Sequence, residues 1–500
     1  MPTSSIYTHS NSLPQAPTGS PPVLVWFRQD LRVRDQPALA AACKLGPVIP
    51  VYILDDETDP EHKMGGASRW WLHHSLVALN ATLTGLGAPL ILRRGESAAV
   101  LEALVKETGA VEIHAIAHYE PWWVTAQAAV TARQLTLILH DGNYLQPPSS
   151  VMSKAGTPYK KFTPFWSALR RHMPPEQPLP APTAIESTSL KLKSDSLTDW
   201  KLLPIKPNWA AGFSDWQPGE DGALKRLESF LPKLSYYAAH RDAPSTDGTS
   251  RLSPHLHFGE ISIRIVWHAC NQQTYTSEKF LSELAWRDFS QGIIQQFPDY
   301  GWKNAAPLFN EMPWREGPDA ERDFEAWKKG RTGYPIIDAG MRQLWTTGWM
   351  HNRVRMLTAS FLVKHLLIDW RKGAAWFWDC LVDADYGANS CSWQWVAGSG
   401  VEVSPWYRIM SPVLQSAKFE CEPYIRQWVP ELKHLYEREI HDPTAKNCVP
   451  VGYPQSIVAH GKGRERAMAA FQTAKEAATP KPPPSPLSDE FSEDELLFPA

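Results

Sequence analysis

Six cysteines stand in 500 residues, and none form CxxC pairs. That spacing argues against a disulfide scaffold or a structural zinc site and suits a reducing cytoplasm, where the chain is expected to reside. No apolar run approaches the length needed to span a bilayer, so a soluble protein without a membrane partner is expected. The first 22 residues are rich in Ser, Pro and Thr and lack the charged start and apolar stretch of a secretory signal. Neither sign of charge dominates: 50 Lys plus Arg against 53 Asp plus Glu leave a net charge of -3, so nothing global announces nucleic acid. There is no internal repeat. The first apolar run is followed by Arg28-Gln-Asp-Leu-Arg32 and not by GxGxxG, which excludes the usual dinucleotide turn.

What is present is more specific. The length exceeds one ordinary core, and 43% hydrophobic residues can fill two. Tryptophan is abundant, 23 residues, most of them after position 200. Indoles fill cores, stack on bases and carry electrons; composition does not choose among these. Between Trp327 and Lys372 nine Lys or Arg meet two Asp or Glu. A phosphate-binding face would leave such a stretch, and so would a solvated helix.

Residues 23–140 alternate strand and helix. Apolar runs at Val23 to Phe27, Val48 to Leu54, Pro89 to Leu92, Val111 to Ala117 and Leu135 to Leu139 read as strands, with helices at Ser68 to Leu86 and Ala98 to Thr108. This order predicts an α/β domain built on a parallel, doubly wound sheet, Rossmann-like or flavodoxin-like. A Pro- and Ser-rich connector follows, and from about Asp221 the pattern is helical. Val354 to Trp370, apolar nearly all round, reads as one buried central helix. The expected division is a disordered start at 1–21, the α/β domain at 22–150, a connector at 151–215, an all-α domain at 216–475 and a disordered acidic tail at 476–500.

Four constellations carry chemistry, and each alone also fits a plainer structural role. Thr249-Ser-Arg-Leu-Ser253 gathers hydroxyls, a guanidinium and backbone N–H groups that could cradle a pyrophosphate; the plainer role is a capped helix start. Glu283 and Trp286 share a helix face, so a carboxylate could bond a base edge while the indole stacks on it; alternatively, Trp286 is core and Glu283 pairs with an Arg. Asn352, Arg353, Arg355 and Met356 lie on one helix, suited to phosphate or base contacts or to a basic surface. Asp383-Ala-Asp385 with Asn389, followed by Trp393-Gln-Trp395, could be a metal loop, yet it lacks the EF-hand register.

Taken together and in this order, these strings resemble the photolyase/cryptochrome family. The resemblance begins with Val-Trp-Phe-Arg-x-Asp-Leu-Arg at 25–32 and includes Thr-Ser-Arg-Leu-Ser at 249, Gly-Tyr-Pro-Ile-Ile-Asp-Ala-Gly-Met-Arg at 333 and Trp-Gln-Trp at 393. It runs to about residue 460, nearly the whole chain.

The resemblance implies an α/β antenna domain and a helical domain holding FAD. It implies FAD contacts from Tyr237, Thr249, Ser250, Arg251, Leu252, Ser253, Arg355, Asp383, Asp385 and Asn389. It places Glu283, Trp286, Asn352, Met356 and Trp395 around a flipped pyrimidine dimer, and Arg241 and Arg353 on phosphates. Trp393, Trp370 and Trp314 would carry electrons to the flavin, although a short insertion between Trp314 and Trp327 unsettles the last of these. The chain is most like a cyclobutane pyrimidine dimer photolyase of the class I/III type. Asn352 stands where a second His would mark a (6-4) enzyme, and Asn389 stands where plant cryptochromes carry Asp. The implied reaction is light-driven electron transfer from reduced FAD to a dimer in single- or double-stranded DNA, by a monomer. A second antenna chromophore, folate or deazaflavin, is implied without its identity; His118-Tyr-Glu120, after the fourth strand, could contact it or be an ordinary strand-end loop. Rival readings are a signalling cryptochrome, which the acidic tail would suit, a single-strand binder and a generic flavin oxidoreductase.

Overall fold

The computed structural model describes residues 19–148, 150–273 and 277–479. The expected disordered ends therefore lie almost wholly outside the described residues. The last helix, His460–Ala478, continues three residues past the boundary expected at 475.

Five strands, β1 (Val23–Phe27), β2 (Val48–Leu54), β3 (Ile91–Arg94), β4 (Glu112–Ile116) and β5 (Leu137–His140), form one sheet in the order β3-β2-β1-β4-β5. All pairings are parallel, with Val23 facing both Val48 and Glu112. β1 reads as a continuous apolar run because helices cover both faces of the sheet. Alternate side chains serve two cores. Val23, Val25 and Phe27 join Trp71, Leu72, Leu76 and Leu83 of the Gly66–Gly85 helix. Leu24 and Trp26 point the other way, against Ala98, Leu101 and Leu104 of the Ser97–Thr108 helix and Trp123, Ala126 and Val130 of the Pro121–Ala132 helix. β3 starts two residues later than expected, since Pro89 has no N–H to donate and the Leu90 N–H is taken by Asn80 Oδ1 at 3.0 Å.

The first of these cores does not stop at the α/β layer. Phe213, Phe258, Trp349 and Val382, all from beyond residue 200, complete it. Arg32 draws the two parts together. Fully buried, it donates to the carbonyls of Asp35 (3.0 and 3.1 Å), Gly142 (2.9 Å) and Gly259 (3.0 Å) and to Asn143 Oδ1 at 2.9 Å. Gly259 has φ +62°, and a Cβ there would sit 2.2 Å from the Gln29 carbonyl oxygen, so only glycine permits this approach. The Arg28–Arg32 turn is thus a clasp between the two layers.

Asp35 is its acidic counterpart, accepting from Arg264 Nε (2.9 Å) and Nη2 (2.6 Å), from the Leu179 N–H (2.9 Å) and from the Ser262 hydroxyl. Both side chains of the ion pair are at least nine-tenths buried. Asp35→Ala leaves the buried Arg264 guanidinium only the exposed Glu176 carboxylate, at 3.1 Å, a loss of up to about 3–5 kcal/mol. A marked fall in the thermal midpoint, with no change of oligomeric state, is the expected result.

Two further elements differ from the sequence expectation. The connector contains a helix, Phe162–Leu169, whose Phe165, Ala168 and Leu169 are buried. The long apolar stretch is not one helix: Asn352–Ser360 passes into a π-helical turn at Phe361–His365, and a new helix begins at Trp370. Asp369, which accepts from the Arg371 N–H at 2.9 Å, caps that restart.

Candidate active site

The helical domain brings distant segments onto one carboxylate. Asp383 Oδ2 accepts from Arg355 Nη2 at 2.8 Å and from the Ser253 hydroxyl at 2.6 Å. Ser253 opens the Ser253–His257 helix but spends its hydroxyl on Asp383 rather than on a cap. Arg355 is held in turn by the Met350 carbonyl, which accepts from its Nε at 2.7 Å. The guanidiniums of Arg251 and Arg355 lie 5.0 and 5.9 Å from the Trp349 ring. Arg251 adopts φ +52°, and the Ser250 hydroxyl beside it accepts from the Leu252 N–H. Two polar atoms here are buried without a partner: Asp383 Oδ1 and Arg251 Nε. A buried acceptor and a buried charged donor left over at one place fit a ligand that carries both an N–H and an anionic group, as FAD does.

Asp385 is the N-cap of the Tyr386–Ala397 helix, accepting from the Ala388 N–H at 2.7 Å, so the acidic loop leads into a helix start. His257 Nδ1 lies 4.0 Å from it. Burial alone would raise the Asp385 carboxyl, but His257, Arg287 and the Ala388 N–H hold it below the usual carboxylate range. Asn389, one turn on, donates to the Ala374 carbonyl at 3.2 Å.

A second group gathers around Glu283. Its carboxylate pairs with Arg241 and, at 2.8 Å, with Lys279. Asp242 then bridges Arg241 (3.6 Å) to Arg353 (2.7 Å), and Arg241 lies 5.5 Å from the Tyr237 ring. Arg353 also approaches Met356 Sδ at 3.9 Å. The two arginines expected on phosphates are therefore already engaged with acids, and Asp242, next in the chain to Arg241, bridges them with no motif to mark it. Trp286 lies flat on Phe162 of the connector helix, centroids 3.8 Å apart and planes 7° off parallel. Asn352 is exposed at the start of its helix, and the Trp395 carbonyl accepts from the Ser404 N–H. Among the described residues, no hydrogen bond or ring contact ties Asn352 or Trp395 to Glu283.

The helix starting at Asn352 is capped by His351, whose Nδ1 accepts from the Arg353 N–H at 3.2 Å. That role needs an unprotonated Nδ1, and burial keeps it so by pushing the imidazole down to about 4.

Trp393 is buried, its ring 5.0 Å from Phe377 and 6.4 Å from Trp327, a neighbour the sequence did not single out. A Cβ on Gly373 would come within 2.2 Å of the Trp393 ring, so glycine lets the indole rest against the Trp370–Cys380 helix. Trp370 opens that helix, fully buried, donating to Asn304 Oδ1 at 3.0 Å. Trp314, partly buried, packs edge-to-face on Trp406 at 6.2 Å; the next residue, Arg315, bonds the Leu366 and Leu367 carbonyls just ahead of Trp370.

A separate cleft lies between the domains, lined by Asp55, Asp59, Lys63, Trp122 and Trp378 with His62. The His62 ring stands 5.8 Å from Trp122 and 4.8 Å from Trp302. Glu120 is not part of its lining; it is buried deeper, at the domain boundary.

Residues 23–183 match the family model described as DNA photolyase, and residues 280–473 match the FAD binding domain of DNA photolyase. The deoxyribodipyrimidine photo-lyase of Agrobacterium fabrum is 46% identical over 476 residues, covering 91% of this chain and 98% of that protein. Cryptochrome-1 of Arabidopsis thaliana is 37% identical, over 84% of this chain and 64% of its own length. Among solved structures, a bacterial class III photolyase from Agrobacterium tumefaciens superposes with TM-score 0.87 at 45% identity, covering 94% of this chain and all of that one. A Synechocystis cryptochrome gives 0.82 at 28% identity, over 91% of this chain and all of its own. With the fold, the paired acids and the near-full-length match in agreement, this chain belongs to the DNA photolyase and cryptochrome family.

Proposed function

We propose that the chain is a deoxyribodipyrimidine photo-lyase that binds FAD and splits cyclobutane pyrimidine dimers in DNA under light. The observation that carries this reading is the arrangement around Glu283. A carboxylate between two cations stands one helical turn from Trp286, whose ring already lies flat on Phe162. A base edge could exchange with Arg241 and Lys279 at the carboxylate while a pyrimidine ring packs on the aromatic pair. The 46% identity to a photo-lyase, above that to the plant cryptochromes, supports repair over signalling.

Reduced and photo-excited, FAD would supply the electron that opens the cyclobutane ring and take it back afterwards. The side chains perform the rest. Asp383 and Arg355, with Thr249, Ser250, Leu252 and Ser253, would hold the cofactor's polar groups. Asp385 and Asn389 would fix its ring edge, and Tyr237 with Arg251 would border its phosphates. Glu283, Asn352, Met356, Trp286 and Trp395 would hold the flipped dimer out of water, and Arg241 and Arg353 would trade Asp242 for DNA phosphates. Trp393, Trp370 and Trp314 would pass electrons inward. A folate or deazaflavin in the His62 cleft would act as antenna. On this reading the α/β domain spans 22–150, the connector 151–215 and the helical domain 216–478, and the protein acts as a monomer on either single- or double-stranded DNA. Among the described residues no helix is long and apolar enough to cross a membrane, and the cysteines are free, which suits a cytoplasmic setting.

The test is repair of a thymine dimer in an oligonucleotide by the reduced protein, under blue light and in darkness. Light-dependent return of intact thymines is expected. A flavin-loaded protein that binds DNA and repairs nothing would reassign it as a cryptochrome-like sensor.

A further inference from the structure

The sheet's order reverses between β1 and β4, the place where doubly wound folds usually receive a ligand. Here the strand ends deliver Arg28, His118 and Glu120, and the helical domain closes over them. Glu120 is 3% exposed. It stands at the N-cap of the Pro121–Ala132 helix, yet its carboxyl caps nothing there. It accepts only a long hydrogen bond from the Tyr119 N–H, 3.3 Å, and His118 Nδ1 lies 4.0 Å away. From the helical domain it faces Asp385, His257 and Arg287; from its own side it faces Arg28, His118, Tyr119 and Tyr144. The two carboxyls are unequally served. Asp385 has the Ala388 N–H, His257 and Arg287, with Gln29 Nε2 steadying His257 at 3.4 Å. Glu120 has no comparable donor, so of the two carboxyls Glu120 is the one that takes up a proton.

We propose that Glu120 is a positioning residue for Asp385, a neutral carboxyl which the α/β domain sets against the wall of the flavin site so that a single negative charge stands there. The proposal rests on the reading of Asp385 as a flavin contact. Burial, and then the Asp385 charge, push the Glu120 carboxyl up to about 7. Above that pH a second anion would face a cofactor that is itself anionic when reduced, and retention of the reduced flavin should weaken.

The experiment is infrared difference spectroscopy on the full-length protein as purified, in light and heavy water, from about pH 6 to about pH 8.5, with wild type and Glu120→Gln. Reduced-flavin retention through a desalting column is measured alongside. Wild type should lose protonated-carboxyl C=O intensity as pH rises. Glu120→Gln should lack part of that band, keeping the contribution of Asp288, which burial also pushes up to about 7. Flavin retention should fall severalfold with pH in wild type and stay level in the variant. Asp385→Asn should move the remaining loss of the Glu120 band to lower pH, because a like charge has gone; a purely structural Glu120 would show no such movement. An unchanged band and an unchanged retention profile in Glu120→Gln would overturn the proposal. If neither protein retains flavin, the flavin reading fails, while the infrared band still decides whether Glu120 carries the proton.

Discussion

Asp383→Ala should yield a folded protein that purifies nearly free of flavin. The side chain is 4% exposed and gathers Arg355 and Ser253 onto one oxygen, leaving Oδ1 buried and unpartnered. Removing it takes away the acceptor and at the same time strands the Arg355 guanidinium, which keeps only the Met350 carbonyl. A lost hydrogen bond to a charged group is worth about 1.5–3 kcal/mol, which converts to roughly a tenfold to hundredfold weaker affinity. The check is the ratio of visible to ultraviolet absorbance after purification, with circular dichroism to confirm folding. Asp383→Asn keeps the shape and one acceptor and should fall between the two. Full flavin content in the alanine variant would remove Asp383 from the cofactor site.

Trp370→Phe should abolish light-driven reduction of the bound flavin while sparing repair by protein reduced chemically beforehand. The indole is fully buried, bonded to Asn304, and it begins the helix on which Trp393 rests at Gly373. Phenylalanine fills most of the volume but offers no readily oxidised ring and leaves the Asn304 amide oxygen without its donor. The split between the two assays separates an electron-carrying role from a packing role, since a packing defect would depress both. Equal photoreduction in wild type and variant would shift attention to Trp327, which lies 6.4 Å from Trp393 on another side.

The sheet was legible because a parallel strand buried on both faces writes itself as an unbroken apolar run; Val23–Phe27 and Val48–Leu54 fall where the sequence put them. The Phe162–Leu169 helix was hidden in a Pro- and Ser-rich stretch, since eight residues give little room for a period to show. The turn at Phe361–His365 left no trace either. Hydropathy marks Phe361, Leu362 and Val363 as buried and is blind to which carbonyl each N–H chooses.

In the candidate site, helix spacing correctly joined Glu283 to Trp286 and Asn352 to Met356, because these neighbours are local. The bond from Ser253 to Asp383 spans 130 positions, and no local rule could pair them. The nine cations between Trp327 and Lys372 turn out to serve different ends. Lys364 is wholly buried, donating to the Arg408 carbonyl at 3.2 Å, and Arg342 is taken by Glu431 at 2.8 Å. A one-dimensional charge count cannot distinguish a face that greets phosphate from charges already spent inside the molecule.

The core that runs from β1 through Trp71 to Phe213, Phe258, Trp349 and Val382 bears on how such a chain can change over generations. The two halves look like exchangeable parts, one for gathering light and one for using it. Yet the two halves share one of their cores: cutting the chain between them would leave an oily seam on each piece, and the Arg32 clasp would hang open. Grafting a new light-harvesting half onto this chain would mean carrying the seam as well. Novelty should therefore accumulate first in the cleft beside His62, where residues can be exchanged one at a time while the joint stays closed.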